Sequence, residues 1–508
     1  KHMAYLNKTI DWFLSKELED IAYFKENPIE VQQRVLHNLV GKAKDTEWGV
    51  QYDYASLQKK NLHEYSQRVP LQEYDQIKHH IERMRKGESQ ILWDTDIRWF
   101  SKSSGTTNDK SKYIPVSMEA LNECHYKAGK DIIAIYNQLR PESRVLTGKT
   151  LVLGGSYQID TFSPENKLGD VSAILIQNLP FWAQWLRTPT RKIALMPEWE
   201  EKLELMALDT IKERVTSLAG VPSWTLILLK RVLEITGADN LQQVWPELEL
   251  FVHGGVSFTP YRKQFDKLID PSRMNYLETY NASEGFFAMQ DDLETDDMLL
   301  MLNYGIYYEF IPMDTYHQNP QAIPLAQVEL NRNYAIVIST NAGLWRYIIG
   351  DTVKFTSLRP YKIKITGRTR HFINAFGEEV IIDNAEKALA VACQATGAII
   401  TEYTAAPIYI SSNEQGAHEW LIEFAKEPDT LENFTQQLDT ALKRINSDYE
   451  AKRYHDKILR LPQINIAPRG LFNKWLEIRG KLGGQHKVPR LSNSRKLLEE
   501  LLEIANPK

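Results

Sequence analysis

The chain has 508 residues, too long for one ordinary core and long enough for two or more domains. At 43% hydrophobic and 25% charged, without a low-complexity tract, its composition is that of a folded protein and not of a disordered one. A formal net charge of −5 gives no electrostatic ground for a nucleic-acid partner, and apolar runs such as Leu226-Ile227-Leu228-Leu229 are far too short to span a membrane.

In chain order, the first hundred residues read as amphipathic helices, for example Val31 to Ala43. Ile97–Phe100 is strand-like, and an apolar-periodic helix runs from about Met118 to Leu139. A mixed α/β region follows, with strand patterns at Thr150–Leu153, Leu248–Val252, Met274–Leu277, Leu299–Phe310, Ala326–Leu330 and Ala335–Ser339. A pair of strands covers Thr352–Phe355 and Lys362–Thr366. The Trp-rich stretch Phe181–Trp199 reads as helix and core. Beyond Thr366-Gly367-Arg368-Thr369-Arg370 the pattern changes to helix (Asn384–Thr396), two strands (Ala398–Tyr403 and Trp420–Phe424) and a long helix (Leu431–Tyr449). A strand (Gln463–Ile466) and two helices (Phe472–Arg479 and Ser494–Ile504) close the chain. The expected architecture is an N-terminal α/β domain with mixed sheets, residues 1–370, and a small mobile α+β domain, residues 371–508.

The two cysteines, Cys124 and Cys393, form no disulfide framework and no metal cluster; each reads as a small buried hydrophobe. Lys1-His2 before Met3 reads as a cloning remnant, and no basic-then-apolar signal follows. The protein is therefore expected in the cytoplasm, where the sequons at Asn281 and Asn433 carry no glycosylation meaning. No membrane partner is expected and no oligomer is required.

Chemistry concentrates in the decapeptide Ser103-Ser104-Gly105-Thr106-Thr107-Asn108-Asp109-Lys110-Ser111-Lys112. Glycine lets backbone approach an anion, hydroxyls and amides donate to phosphate oxygens, and lysine adds positive charge. No Walker A can be laid over it. Four further glycine-bearing segments fall at strand ends, where open α/β sheets bind ligands. His253-Gly254-Gly255-Val256-Ser257 offers bare backbone to a flat group. Tyr280-Asn281-Ala282-Ser283-Glu284-Gly285 offers a ring for a base and a carboxylate for a hard cation such as Mg²⁺. Trp345-Arg346-Tyr347-Ile348-Ile349-Gly350-Asp351 offers an acceptor for both hydroxyls of a ribose. Gly483-Gly484-Gln485-His486-Lys487-Val488-Pro489-Arg490 is a late loop centred on a lysine. Taken singly, each is also satisfied by an ordinary turn.

Their order resembles the adenylate-forming superfamily of acyl-CoA synthetases, adenylation domains and luciferases. Within it, Ser-Ser-Gly-Thr-Thr, Gly220-Val221-Pro222-Ser223-Trp224, Ala282-Ser283-Glu284-Gly285, Leu344-Trp345-Arg346-Tyr347 and Lys487-Val488-Pro489-Arg490 resemble the Gretchen Hagen family of acyl acid–amido synthetases. The resemblance runs from about residue 30 to the C-terminus. It implies a ligase that uses ATP and Mg²⁺ to turn a carboxylic acid into an acyl-AMP, then passes the acyl group to an amino acid. By the same resemblance Ser103, Ser104, Gly105, Thr106 and Thr107 form the phosphate loop, with Lys112 trailing it. Gly254, Gly255 and Val256 line the adenine side, and Tyr280 and Ser283 belong to the adenine motif. Glu284 holds Mg²⁺, Asp351 binds the ribose, and Arg368 marks the domain junction. Lys487 reaches the active site from the small domain, so Lys487, Glu284 and Thr106 are the catalytic candidates. Asn108 and Asp109 depart from the small residues usual in plant members.

Two other readings remain open at this point: a ligase that transfers the acyl group to coenzyme A, and an inactive nucleotide-binding member. Two decoys do not. Gly148-Lys149-Thr150 lacks the first Walker glycine, Ser143 standing in its place, and Gly154-Gly155-Ser156-Tyr157-Gln158 fails as a G-x-S-x-G elbow.

Overall fold

The structure is a computed structural model that describes residues 2–104, 111–153, 160–161, 165–196, 199–255, 258, 261–316, 318–369, 372–411, 414–479 and 488–506. Gly105, Thr106, Thr107, Val256 and Lys487 lie outside the described residues.

The N-terminal helices pack on a mixed sheet of twelve strands. Helix Pro28–Ala43 starts with proline at its first turn and buries Val31, Leu36, Leu39, Val40 and Ala43 along one side. One wing of the sheet is parallel: Arg187–Thr188, Lys149–Val152, Val215–Gly220, Leu250–Gly254 and Asn275–Ala282 run side by side. Their carboxyl ends therefore gather Gly220, Gly254 and the Ser283-Glu284 turn along one edge. The other wing is antiparallel and includes Asn333–Thr340, whose Tyr334-Ala335-Ile336-Val337-Ile338 run is buried throughout, as a central strand must be.

Arg346 locks the N-terminal helices to this sheet. Its guanidinium takes Glu309 bidentately at 2.9 and 3.0 Å and donates to the carbonyls of Ser66 and Val69 at 2.8 and 2.7 Å. The arginine of the Trp345–Asp351 segment is thus structural, a buried charge fully paired.

A smaller sheet carries the hairpin Trp99–Ser104 and Ser111–Val116, with Ser103 opposite Lys112. A separate C-terminal domain is built on Ile399–Ile408, Ala417–Lys426 and Gln463–Ile466, flanked by helices Ile382–Thr396 and Leu431–Ile445. The mixed α/β class expected from the sequence is what the chain adopts.

Several local expectations are corrected. The run Leu299–Phe310 is two strands, Met298–Leu300 and Ile306–Pro312, separated by a turn through Gly305, which has φ +69°. Ala326–Leu330 is no strand: Leu325–Gln327 is a 3-10 turn, and the Glu329 amide bonds the Tyr334 hydroxyl at 2.9 Å in place of a ladder partner. Phe181 and Trp185 are exposed, at 74% and 67%, on a 3-10 turn, so the Trp-rich stretch is only partly core. The helix expected over Leu431–Tyr449 breaks at Asn446, which leaves helical φ/ψ and caps the next helix through the Tyr449 amide at 2.8 Å. Cys393 is half-buried, whereas Cys124 is buried as expected.

Candidate functional site

Strand Asn275–Ala282 turns directly into Gly285–Met289, with Ala282 opposite Gly285, so Ser283 and Glu284 are a two-residue hairpin loop. Ser101, fully buried on the strand that leads into the Ser103-Ser104 segment, donates to the Ser283 hydroxyl at 2.9 Å. That single bond holds the start of the Ser103-Ser104 segment beside the turn bearing Glu284.

Asp351 comes from the opposite wing. It lies on Tyr347–Leu358 in register with Arg368 on Tyr361–Arg368. The Tyr280 hydroxyl donates to Asp351 Oδ2 at 2.6 Å, and Arg368 Nε stands 3.4 Å from Oδ1. Four strand spacings separate the strands of Tyr280 and Asp351 in the sheet order, roughly 19 Å if the sheet were flat. The 2.6 Å bond therefore requires the sheet to curl until its two wings face each other. The bridge is short: Met298–Leu300 alone joins them.

Arg368 also pairs with Glu379 at 2.5 Å. Glu379 is fixed from behind, because Asn446 at the helix break donates to its carbonyl at 3.0 Å. Gly350, at φ +99°, is required where it stands, since a Cβ there would come 3.0 Å from Arg368 Nη2. Gly254 ends its strand so close to the next that a Cβ would sit 2.6 Å from the Thr279 carbonyl oxygen. Gly255 follows it with φ +84°.

The structure thus brings together Ser283, Glu284, Tyr280, Asp351, Arg368 and Lys112, with Gly254 and Gly255 on the same strand-end edge. A crevice of ≈ 40 Å³ between the wings is lined by Lys112, Tyr74, Tyr347, Gly350, Arg368 and Glu379. A larger cavity of ≈ 620 Å³ lies on the His253 side, against Phe258, Arg262, Tyr276, Glu278 and Lys364. Burial raises the Glu284 carboxyl above its ordinary pKa; Lys112 opposes the shift, while Glu379 and Asp351 add to it. Among the described residues the carboxylates of Glu284, Asp351 and Glu379 face the cations Lys112 and Arg368. Among the described residues no group of three or more His, Cys, Asp or Glu side chains is arranged to hold a metal by itself. One carboxylate completed by substrate phosphates is nonetheless a donor set that suits Mg²⁺.

His253 is no functional base. It is 4% exposed, stacks on Phe258 at 4.2 Å, and burial lowers its pKa to about 3, so it is a neutral core ring. Sequence reasoning missed Tyr74, Tyr347 and Glu379. The acidic pair after Gly377 was a usable signal for Glu379; the two tyrosines are indistinguishable in sequence from core aromatics.

Residues 17–274 match the GH3 family N-terminal domain, 299–368 its central domain and 383–496 its C-terminal domain. The chain belongs to the GH3 family. The GH3 relatives include the indole-3-acetic acid-amido synthetase GH3.3 of Arabidopsis thaliana, 22% identical with 96% of this chain and 93% of that protein covered. The jasmonoyl--L-amino acid synthetase JAR4 of Nicotiana attenuata is 23% identical over 96% of this chain and 95% of its own length. Among solved structures, GH3.15 acyl acid amido synthetase in complex with 2,4-DB superposes with a TM-score of 0.63 at 16% identity, covering 96% of each chain. The 2-hydroxyisobutyryl-CoA ligase in its thioesterification state gives 0.55 at 13% identity, over 94% of this chain and 92% of the other, so it shares the fold.

Proposed function

We propose that the protein is an ATP-dependent acyl acid–amido synthetase. The observation that carries this reading is the convergence of Tyr280, Asp351 and Arg368 with the Ser283-Glu284 turn and the Ser101 strand, in a chain of the GH3 family. A carboxylate cannot acylate an amine directly, since its leaving group would be oxide. In the first half-reaction an oxygen of the acid attacks the α-phosphorus of ATP, the bond to the β-phosphate oxygen breaks, and pyrophosphate leaves from an acyl-AMP. In the second, an amino acid's amine attacks the acyl carbon, AMP departs, and one proton is released.

Asp351 is proposed to accept from the ribose hydroxyls. A carboxylate has about four acceptor sites; Tyr280 takes one on Oδ2 and Arg368 stands beside Oδ1 as an ion pair, so acceptor sites remain on both oxygens. The Tyr280 ring is proposed to cover the adenine, beside Gly254, Gly255 and Val256. Glu284 would hold Mg²⁺, which supplies positive charge to the departing pyrophosphate. Ser103, Ser104, Gly105, Thr106, Thr107 and Lys112 are proposed to grip the phosphates, with Thr106 at the reacting end. Lys487 is proposed to offset charge on the α-phosphate when the domain carrying it closes, excluding water from a hydrolysable acyl-AMP. The domains divide near residue 370 in this reading, and Arg368, paired to both Asp351 and Glu379, sits at the pivot.

No helix among the described residues is long and apolar enough to cross a membrane. A cytoplasmic site of action belongs to the same proposal, in keeping with two free cysteines and an ATP requirement.

The test is ATP–pyrophosphate exchange across a library of carboxylic acids, followed by AMP release with amino acids or with coenzyme A. Acid-dependent exchange and amino-acid-dependent AMP release are expected. Thioester formation in place of amide would move the protein to the ligase reading; no exchange with any acid would leave an inactive nucleotide binder.

A further inference from the structure

Glu278 is an acid on the wall of the larger cavity, and the nucleotide reading leaves it unused. It lines that cavity of ≈ 620 Å³ together with His253, Tyr276 and Phe258. Side chains two positions apart on a strand share a face, so Tyr276, Glu278 and Tyr280 stand on one side of Asn275–Ala282. On the neighbouring parallel strand His253 is in register with Glu278, and Gly254 with Thr279. The cavity wall therefore reaches to one residue below Gly254 and two below Tyr280, the latter roughly 7 Å along the strand.

The polar groups on this part of the wall lack partners. Among the described residues the Glu278 carboxyl makes no hydrogen bond and no ion pair, and the buried Tyr276 hydroxyl and His253 Nδ1 have no hydrogen-bond partner. Their charged neighbours are engaged elsewhere. Lys364 pairs with Asp296 at 2.5 Å, and Arg262 pairs with Asp266 at 3.3 Å while lying over the Tyr276 ring. Arg140 and Glu294 line the cavity farther from Tyr280, and Gln290 is held between the Glu278 amide at 2.5 Å and the Thr295 carbonyl at 2.6 Å. Burial pushes the Glu278 carboxyl up to about 7, with Asp296 adding to the shift and Lys364 opposing it. Near neutral pH this side chain can therefore donate a hydrogen bond as well as accept one.

Its place along the strand says what it faces. In the nucleotide reading the phosphates lie at the Glu284 turn and the ribose at Asp351, whose Oδ2 takes the Tyr280 hydroxyl. The next side chain down the same strand face is Glu278, so the edge of the base farthest from the ribose is directed toward it. On adenine that edge carries N1, an acceptor, and the 6-amino group, a donor.

We propose that Glu278 reads the nucleobase, its carboxyl pairing with N1 and the 6-amino group of adenine. The proposal rests on the nucleotide site described above and names the residue that recognises the base. In the acid form the carboxyl O–H donates to N1 and its carbonyl oxygen accepts from the amino group. The ionised form keeps only the second bond and sets a lone pair against N1. Guanine, with N–H donors at N1 and at its 2-amino group, suits the ionised form instead. Base preference is thereby tied to pH.

The experiment is titration calorimetry with AMP and GMP from pH 6.5 to pH 8.5, on the wild type, Glu278→Gln and Glu278→Leu. The wild-type ratio of AMP to GMP affinity should fall by about 10- to 30-fold over that range, because the AMP-binding form is lost as Glu278 ionises above about 7. Glu278→Gln carries a fixed donor and a fixed acceptor, so it should bind AMP nearly as the wild type does at pH 6.5 and show no slope. Glu278→Leu should bind AMP about 10- to 100-fold more weakly, also without a slope. A wild-type ratio that does not move with pH, or a slope that survives in either variant, overturns the proposal. So does a leucine variant that binds AMP as tightly as the wild type. AMP binding with the expected slope but without acid-dependent pyrophosphate exchange would sink the activity reading and leave the role of Glu278 standing; exchange without the slope would do the reverse.

Discussion

Asp351→Asn is the sharpest test of the nucleotide site. In the wild type Tyr280 donates to one carboxylate oxygen at 2.6 Å, and the Arg368 guanidinium forms an ion pair with the other at 3.4 Å. The amide has one oxygen and one NH₂ group, so one of those donors must face another donor. The ribose also exchanges two bonds to a charged acceptor, about 1.5–3 kcal/mol each, for at most one neutral bond of about 1 kcal/mol. Arg368 keeps Glu379 and the Ile349 carbonyl, neither of which replaces a bond to the ribose. The net loss is roughly 2–5 kcal/mol, or about 30- to 4,000-fold in AMP affinity. Titration calorimetry with AMP, 2′-deoxy-AMP and 3′-deoxy-AMP on wild type and variant makes a double cycle. The deoxy nucleotides should bind the wild type more weakly, and the variant should no longer tell them from AMP. Unchanged AMP affinity in the variant, or deoxy losses that simply add to the mutational loss, would refute the ribose assignment.

Lys487→Ala is expected to lower ATP–pyrophosphate exchange by about 10²–10³-fold, as for removal of one preorganised charge stabiliser, and wild-type exchange would exclude it from the chemistry. Arg346→Leu should destabilise the fold by about 3–5 kcal/mol in urea unfolding by stranding Glu309, with much of the loss recovered in Arg346→Leu/Glu309→Leu. A single variant as stable as wild type would contradict the structural role. Asp131 is fully buried, with Tyr304 donating to it at 2.5 Å, and burial raises its pKa to about 7. A carboxyl that ionises later in the folded chain than in the unfolded one loses stability as pH climbs from the ordinary carboxylate range to about 7, and the loss stays constant above that. Asp131→Asn should therefore gain on the wild type between pH 4 and pH 8; a gain that shrinks with rising pH would show the sign to be wrong.

Much of the site was legible before the fold was known, and for a local reason. Glycines at 254, 350 and 285, hydroxyls at 103 and 104 and acids at 284 and 351 are short-range demands, each tied to a turn or a strand end. Period-2 and period-3.6 patterns likewise located Gln463–Ile466 and Pro28–Ala43 to within a few residues. Where the patterns misled, a long-range contact overruled them: the Tyr334 hydroxyl took the place of a strand partner after Leu325–Gln327, and Asn446 broke a helix to serve a second cap and the Glu379 carbonyl.

The linear order of residues thus determined the kind of chemistry, because phosphate, ribose and cation each ask for particular atoms within a few positions of one another. Tertiary structure decided which of those atoms meet. Only a curled sheet brings Tyr280 to Asp351 across 71 positions and seats Ser101 on Ser283 across 182. Such encounters depend on how the whole sheet bends, and no segment contains the curvature that produces them.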